Sequence, residues 1–247
     1  MVAKIYQYAG AEDIKAYLTA WTALDPLSGH GDFYPASTPF SQWAGGDEGG
    51  SRPVEAVLLE GSFTYPANGG FVGTVNTLTF GEGLSGGGST PYSIDTVELL
   101  IDLGGATPNT TFNYAIYQLM GTAGTASAAS LYSYLGIVGT EQYGTTGDDT
   151  QYSFAGSDTF FGDSGEDTFV FLSTSNGADT ITDFVIGDDL IDFSSVTAFT
   201  SFTDVASAVT ANAAGDAVIT WSGGSVTLTG HSAATFSMDF SSADILV

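Results

Sequence analysis

Three nine-residue units follow one another in register near the middle of this 247-residue chain: Gly147-Asp148-Asp149-Thr150, Gly156-Ser157-Asp158-Thr159 and Gly165-Glu166-Asp167-Thr168. Each runs glycine, any residue, aspartate, threonine, and then two mostly aromatic or aliphatic residues. Asp is an oxygen ligand, and Gly lets a turn aim its carbonyls inward. Calcium takes six to eight oxygens and mixes carboxylate with carbonyl. A nonapeptide period that repeats these elements points to a calcium-binding β-roll. The candidate ligand positions are Gly147, Asp149, Gly156, Asp158, Gly165 and Asp167. If successive turns fall on alternate edges of a coil, Asp149 and Asp167 share one edge. Asp158 then needs an oxygen from further along, near Asp179. By this ligand count about one to three ions are expected. The match to Gly-Gly-x-Gly-x-Asp is partial: the units at Gly144 and Gly162 lack the second glycine, and the unit at Ser153 lacks both leading glycines.

The charge balance agrees with a cation partner. The formal net charge is −25, from 28 acidic residues against Lys4, Lys15 and Arg52. No basic surface exists to neutralise phosphate, which excludes nucleic acid and anionic membrane as partners. Disorder is excluded by an apolar fraction of 43% and 17 Phe. Self-repulsion in such a chain is relieved by bound divalent cations, so metal-dependent stability follows. Cysteine is absent, so neither disulfides nor thiolate metal sites contribute. No run of eighteen apolar residues is present, so no membrane insertion is expected. The N-terminal Met1-Val2-Ala3-Lys4-Ile5-Tyr6-Gln7 lacks the apolar stretch of a secretory signal, which alone suggests a cytoplasmic protein.

Composition divides the chain near Gly139 to Thr146, giving two expected domains, 1–140 and 141–247. In the first, Glu12 to Trp21 reads as a helix, with Ile14, Tyr17, Leu18 and Trp21 on one face. Residues 25–53 are rich in Gly and Pro without periodicity and read as a long exposed loop. Strands are expected at Val54–Tyr65, Phe71–Phe80 and Asp95–Leu103, where Val97, Leu99, Ile101 and Leu103 alternate with polar residues. Phe112, Ile116, Leu119 and Met120 mark a second helix. Ala128, Leu131, Tyr132 and Leu135 mark a third, ended by Gly136. The expected class is α+β, an antiparallel sheet covered on one face by helices. In the second domain, strands at Thr180–Phe184 and Leu190–Phe193 and a hairpin from Ala217–Trp221 to Ser225–Gly230 imply an all-β module, a short calcium-binding β-roll with a C-terminal β part.

From Gly165-Glu166-Asp167-Thr168-Phe169-Val170-Phe171 through Asp179-Thr180-Ile181-Thr182-Asp183-Phe184 to Gly187-Asp188-Asp189-Leu190-Ile191-Asp192-Phe193, the chain resembles the C-terminal module of serralysin-type RTX proteins. The resemblance covers about residues 144–247. It implies calcium binding, type I secretion machinery as a partner, and a C-terminal export signal, which the acidic-then-aliphatic Asp244-Ile245-Leu246-Val247 fits. A secreted, extracellular location therefore replaces the cytoplasmic reading. The serralysin protease itself is missing, since His-Glu-x-x-His cannot be built from His30 and His231.

Leu78-Thr79-Phe80-Gly81-Glu82-Gly83-Leu84-Ser85-Gly86-Gly87, Asp13-Ile14-Lys15-Ala16-Tyr17-Leu18-Thr19-Ala20-Trp21 and Ala115-Ile116-Tyr117-Gln118-Leu119-Met120-Gly121 resemble, in matching order, segments of HasA-type hemophores. This resemblance covers about residues 5–140. Those secreted proteins hold ferric haem between an axial His and an axial Tyr on two loops. The resemblance carries these roles to His30, nine residues after Trp21, and to Tyr65 in Phe63-Thr64-Tyr65. Phenolate suits ferric iron and imidazole suits haem iron generally. The family's hydrogen-bonding His beside the Tyr has no counterpart in Pro66-Ala67-Asn68-Gly69-Gly70.

The resulting expectation is a secreted calcium-binding protein, not an enzyme, that captures haem and passes it to an outer-membrane haem receptor. The alternative is a calcium-dependent extracellular structural protein that self-associates in a surface layer, filament or biofilm on a hemophore-like scaffold. Cofactors are then haem and Ca2+, or Ca2+ alone.

Overall fold

The computed structural model describes residues 2–23, 31–46, 55–121, 125–173 and 177–247. The chain separates into two compact units: Met1–Ala11 with Lys15–Tyr134, and Glu12–Ile14 with Leu135–Val247.

The first unit is built from β1 (Ala3–Gln7), α1 (Ile14–Ala23), β2 (Asp32–Tyr34), β3 (Phe40–Gly46), β4 (Glu55–Thr64), β5 (Val72–Gly87), β6 (Thr90–Ala106) and α2 (Thr110–Leu119). Helix α3 (Ala129–Val138) carries the chain on toward the second unit. The six strands pair antiparallel in the order β1-β6-β5-β4-β3-β2. Ile5, Val57, Leu59, Val75, Leu78, Phe80, Leu99 and Ile101 are fully buried. Trp21 of α1 meets Phe80 edge-on at 5.2 Å, and Phe112 of α2 meets Tyr134 of α3 at the same distance. The unit is therefore α+β.

Several elements differ from the sequence reading. Helix α1 starts at Ile14, because Asp13 is held in a parallel bridge to Thr150 instead. Residues 32–34 and 40–46 are strands within the stretch expected as exposed loop, with Trp43 and Ala44 buried. Strand β2 pairs with β3 and β3 with β4, so cross-strand pairing rather than any local periodicity sets them. Strands β5 and β6 are longer than expected and form one hairpin through Gly87 to Thr90. Val97 is exposed, because a register shift opposite Phe80 and Gly81 breaks the alternation before Leu99. Helix α3 passes through Gly136 and stops at Gly139, whose φ of +72° only glycine adopts freely.

The second unit contains β7 (Thr140–Tyr143), β8 (Thr150–Tyr152), β9 (Asp158–Phe161), β10 (Thr168–Val170), β11 (Ala178–Ile181), β12 (Leu190–Asp192), α4 (Phe202–Ser207), β13 (Val209–Ala211), β14 (Asp216–Trp221), β15 (Gly224–Ser232), α5 (Phe236–Asp239) and β16 (Ile245–Leu246). Successive strands alternate between two parallel ladders, β7-β9-β11-β15 and β8-β10-β12-β16. Thr140 pairs with Asp158 and Thr150 with Thr168, so two nonapeptides close one coil. One inward position per nonapeptide is fully buried: Gln142, Gln151, Phe160 and Phe169. The two Gln amides satisfy backbone at the polar end of this column, through Gln142 Nε2 to the Tyr152 carbonyl (2.8 Å) and Gln151 Nε2 to the Phe161 carbonyl (3.1 Å). The Phe positions continue into a core with Phe171, Ile181, Ile191, Phe193, Trp221 and Ile245. The C-terminal Ile245–Leu246 is a strand of this core, parallel to β12.

Helix α2 is capped by Asn109, whose Oδ1 accepts the Phe112 N–H at 2.9 Å. Asn109→Ala removes that acceptor and should lower the stability of the first unit by about 1 kcal/mol. Asn109→Asp should retain most of it in the same denaturant titration.

Candidate functional site

The repeat aspartates stand immediately before or at the start of each short strand, and all are buried: Asp149 2%, Asp158 1%, Asp167 2% and Asp179 1% exposed. The carboxylates after Asp149, with that of Asp189, each reach one coil back to the backbone at the equivalent position. Asp158 Oδ1 accepts the Thr140 N–H (2.8 Å), Asp167 Oδ1 the Asp149 N–H (2.9 Å), Asp179 Oδ1 the Asp158 N–H (2.8 Å) and Asp189 Oδ1 the Asp167 N–H (3.0 Å). The second oxygen closes the residue's own turn in Asp158, which accepts the Phe154 N–H (2.7 Å), and in Asp189, which accepts the Val185 N–H (2.7 Å). The aspartates thus form two ladders, one along each edge of the coil. Asp149 and Asp167 share one edge, and Asp158 and Asp179 share the other.

Glycine is required by this geometry. A Cβ on Gly144 would lie 2.7 Å from Asp149 Oδ2, and one on Gly162 would collide with Asp167 Oδ2. The carbonyl of Gly147 faces Gly165, and the carbonyl of Gly156 faces Gly177. Asp163 takes φ +73° at the place where a Gly-Gly pair would put its second glycine. Asp tolerates this left-handed conformation better than most residues, which accounts for the partial motif there.

Several carboxylate oxygens retain lone pairs. Asp149 opens its edge, so no earlier coil supplies an amide, and its Oδ1 is buried without a hydrogen-bond partner. Burial pushes Asp158 up to about 6, and Asp167 and Asp179 up to about 7, against the ordinary 3.8. For Asp167 the neighbouring Asp189, Asp149 and Asp183 add to the effect. An oxygen-only donor set with a buried unpaired carboxylate oxygen fits a hard cation such as calcium. Among the described residues no three acidic side chains converge on one point. Turn carbonyls such as those of Gly147 and Gly156 would therefore have to complete any cation's shell.

The second predicted site rests on Tyr65. It follows β4, half-buried, with its ring 5.2 Å from Phe33 and 5.3 Å from Phe71. Its hydroxyl shares a 2.6 Å hydrogen bond with Tyr117 Oη, which also accepts the Gly70 N–H at 2.9 Å. Asn113 Oδ1 accepts the Phe71 N–H at 2.8 Å. Asn113 and Tyr117 are one turn apart on α2 and anchor the loop after Tyr65. Burial, then the bond to Tyr117, pushes Tyr65 up to about 12. Tyr117 was not singled out from the sequence as a site residue. The signal was there in Asn113 and Tyr117, polar groups at i and i+4 on a helix whose other face is Phe112, Ile116 and Leu119. His30 lies outside the described residues. His231 belongs to the second unit, with Nε2 2.8 Å from the Phe184 carbonyl.

The family model described as Peptidase M10 serralysin C terminal matches residues 93–247, more than half of the chain. The chain belongs to the serralysin C-terminal family. Its match begins at Ser93 within β6, upstream of the nonapeptides, so the serralysin-type region includes α2 and α3 as well as the whole parallel coil. Among solved structures, this serralysin-family chain is similar to apo hemophore HasA from Yersinia pestis at 16% identity and TM-score 0.45, covering 58% of this chain and 97% of that one. It is also similar to holo HasA from the same organism, at 19% and 0.44, covering 58% and 99%. No curated protein matches in sequence.

The raised carboxylates set a pH dependence for the cation-free protein. A group whose folded pKa lies above its unfolded value stabilises most below the unfolded pKa, and that stability is lost as pH rises through the folded one. For Asp158, Asp167 and Asp179 the window runs from about 4 to about 7. In EDTA, the second unit should melt at a higher temperature at pH 5 than at pH 8. Calcium should remove the difference, and calorimetry across that range checks it.

Proposed function

We propose that this serralysin-family protein is secreted, folds on extracellular calcium through its Asp ladders, and captures haem through Tyr65. His30 is the opposing ligand in this reading, and an outer-membrane receptor takes the haem from it. The observation that carries the capture half is the Tyr65–Tyr117 hydroxyl pair beside Phe33 and Phe71. Haem, when bound, supplies a ferric iron that favours a phenolate oxygen. The protein's part is to hold that oxygen ready. The Gly70 N–H occupies a lone pair of Tyr117 Oη, which leaves the Tyr117 proton for Tyr65. A Tyr65 phenolate would keep that hydrogen bond, and the Tyr65 proton would leave to solvent. A tyrosine is protonated at neutral pH, and burial pushes Tyr65 further up, to about 12, so its phenolate would form only as a cation approaches. Tyr117 thus stands where the hemophore resemblance offers no His.

Asp149, Asp158, Asp167 and Asp179, with carbonyls of Gly147, Gly156 and Gly165, are the oxygens that would hold calcium. Buried carboxylates with raised pKa values favour an unfolded coil where calcium is scarce and a folded one where it is plentiful. That logic suits export by type I machinery followed by folding outside. Calcium-driven self-assembly has less support: copies pairing through β13 or β16 would share ladders of three or two residues.

Haemin titration tests the capture reading. The wild type should give a saturable Soret change at micromolar haemin. Tyr65→Ala should weaken binding at least about tenfold, and Tyr117→Phe should keep binding but shift the tyrosinate charge-transfer band. No saturable change, or one indifferent to Tyr65→Ala, would contradict it.

A further inference from the structure

One row of side chains crosses the whole sheet of the first unit. Tyr34 pairs with Gln42, Gln42 with Glu60, Glu60 with Thr77, Thr77 with Asp102, and Asp102 with Lys4. The register breaks beside this row on three adjacent strands: between Phe40 and Gln42, between Glu60 and Gly61, and between Val75 and Thr77. Bulges bend and twist strands locally and re-aim side chains, and they concentrate next to functional sites. Here they open a cleft of about 380 Å³ lined by the row residues Tyr34, Gln42, Glu60 and Thr77 and by Ser41 and Asn76 at the breaks. Its size is at the small end of small-ligand clefts, which run about 300–1,000 Å³.

The floor is pre-organised. Gln42 is 6% exposed and grips the Tyr92 peptide from both sides, its Oε1 accepting the Tyr92 N–H at 2.7 Å and its Nε2 donating to the Tyr92 carbonyl at 2.9 Å. The same Nε2 donates to Glu60 Oε1 at 3.0 Å, and Thr77 Oγ1 donates to Glu60 Oε2 at 3.3 Å. Glu60 is thereby fixed with lone pairs left over. Gly61 is obligatory beside it, because a Cβ there would collide with the Thr74 carbonyl.

The lining chemistry selects the ligand. Among the described residues no Lys or Arg lines the cleft, so phosphate, sulfate and carboxylate ligands meet the Glu60 charge without a cationic partner. Among the described lining residues only Tyr34 and Pro91 bear rings, too little apolar surface for a hydrophobic ligand. A cation would find one carboxylate, already taking two hydrogen bonds, among hydroxyl and amide groups whose donors it cannot use. A polyhydroxylated neutral ligand uses all of them: its hydroxyls donate to Glu60 and to the oxygens of Ser41 and Thr77, whose own protons go to the Tyr34 carbonyl and to Glu60, and accept from the Asn76 amide, while a sugar's C–H face packs on rings. We propose that this cleft binds a neutral saccharide. The site is independent of Tyr65 and of the Asp ladders.

The full chain, calcium-loaded, is probed on an array of neutral mono- to trisaccharides, and the strongest glycan is then titrated by calorimetry. At least one should bind. Glu60→Gln and Asn76→Ala should each weaken it at least about tenfold. Asn76 is exposed, so its variant should keep the wild-type melting temperature even if Glu60→Gln does not. No binding to any neutral saccharide, binding unchanged in Asn76→Ala, or a response confined to amine ligands such as ethylenediamine would overturn the proposal.

Discussion

A buried aspartate that accepts the backbone amide of the equivalent residue one coil earlier is the contact on which the rest of the second unit depends. A parallel coil with three- and four-residue strands has few ladder hydrogen bonds per turn, so the turns must be tied by side chains. Asp158, Asp167, Asp179 and Asp189 do this on alternating edges. Putting a carboxylate there forces glycine five residues earlier at Gly144 and Gly162, where a side chain has no room. It also fixes the phase of the strand that follows, and so places Phe160 and Phe169 inward. The same contact carries a cost. Several carboxylates are removed from water close to one another in a chain with net charge −25, and desolvation favours their neutral form. A divalent cation bound there would reverse that preference and, in the function proposed above, link the fold to its surroundings.

The first unit solves a different problem. Its long strands bury one continuous apolar surface, and its chemistry sits where regularity fails. Tyr65 leaves β4 into a loop fastened to α2 by Asn113 and Tyr117. The cleft around Glu60 lies along aligned register breaks. In both places a polar group is held by a partner remote in sequence, Tyr65 by Tyr117 and Gln42 by the Tyr92 peptide. Both groups are then held in place by the sheet and helix core, the pre-organisation that favours binding.

How much of this was legible depends on the range of the forces involved. The nonapeptide spacing made the alternation of Asp149, Asp158 and Asp167 between two edges readable, because the period is local and strict. Helix α2 was readable from Phe112, Ile116 and Leu119, all buried as expected. Strands β2 and β3 were not, since Trp43 and Ala44 owe their strand conformation to pairing with Leu59 and Leu58 rather than to a local pattern. The end of α3 was missed by three residues, because Gly136 is tolerated within the helix and the left-handed stop falls on Gly139. The amide ladder itself was invisible: the sequence shows aspartates fit for calcium, and only the coil geometry reveals that each also accepts a backbone N–H. Tyr117 left only the i, i+4 polar pairing with Asn113 as a trace, and its pairing with Tyr65, 52 residues away, needed the fold.

Amide hydrogen exchange at Asp149, Asp158 and Asp167, compared in calcium and in EDTA at pH 7.5, tests the central claim most directly. These N–H groups donate to the ladder carboxylates, so their protection reports the ladder directly. The account predicts that calcium slows their exchange at least about 100-fold relative to EDTA, while the first-unit amides of β5 and β6 change little. Equal protection in both conditions would show that the ladders hold without a cation and would contradict the account.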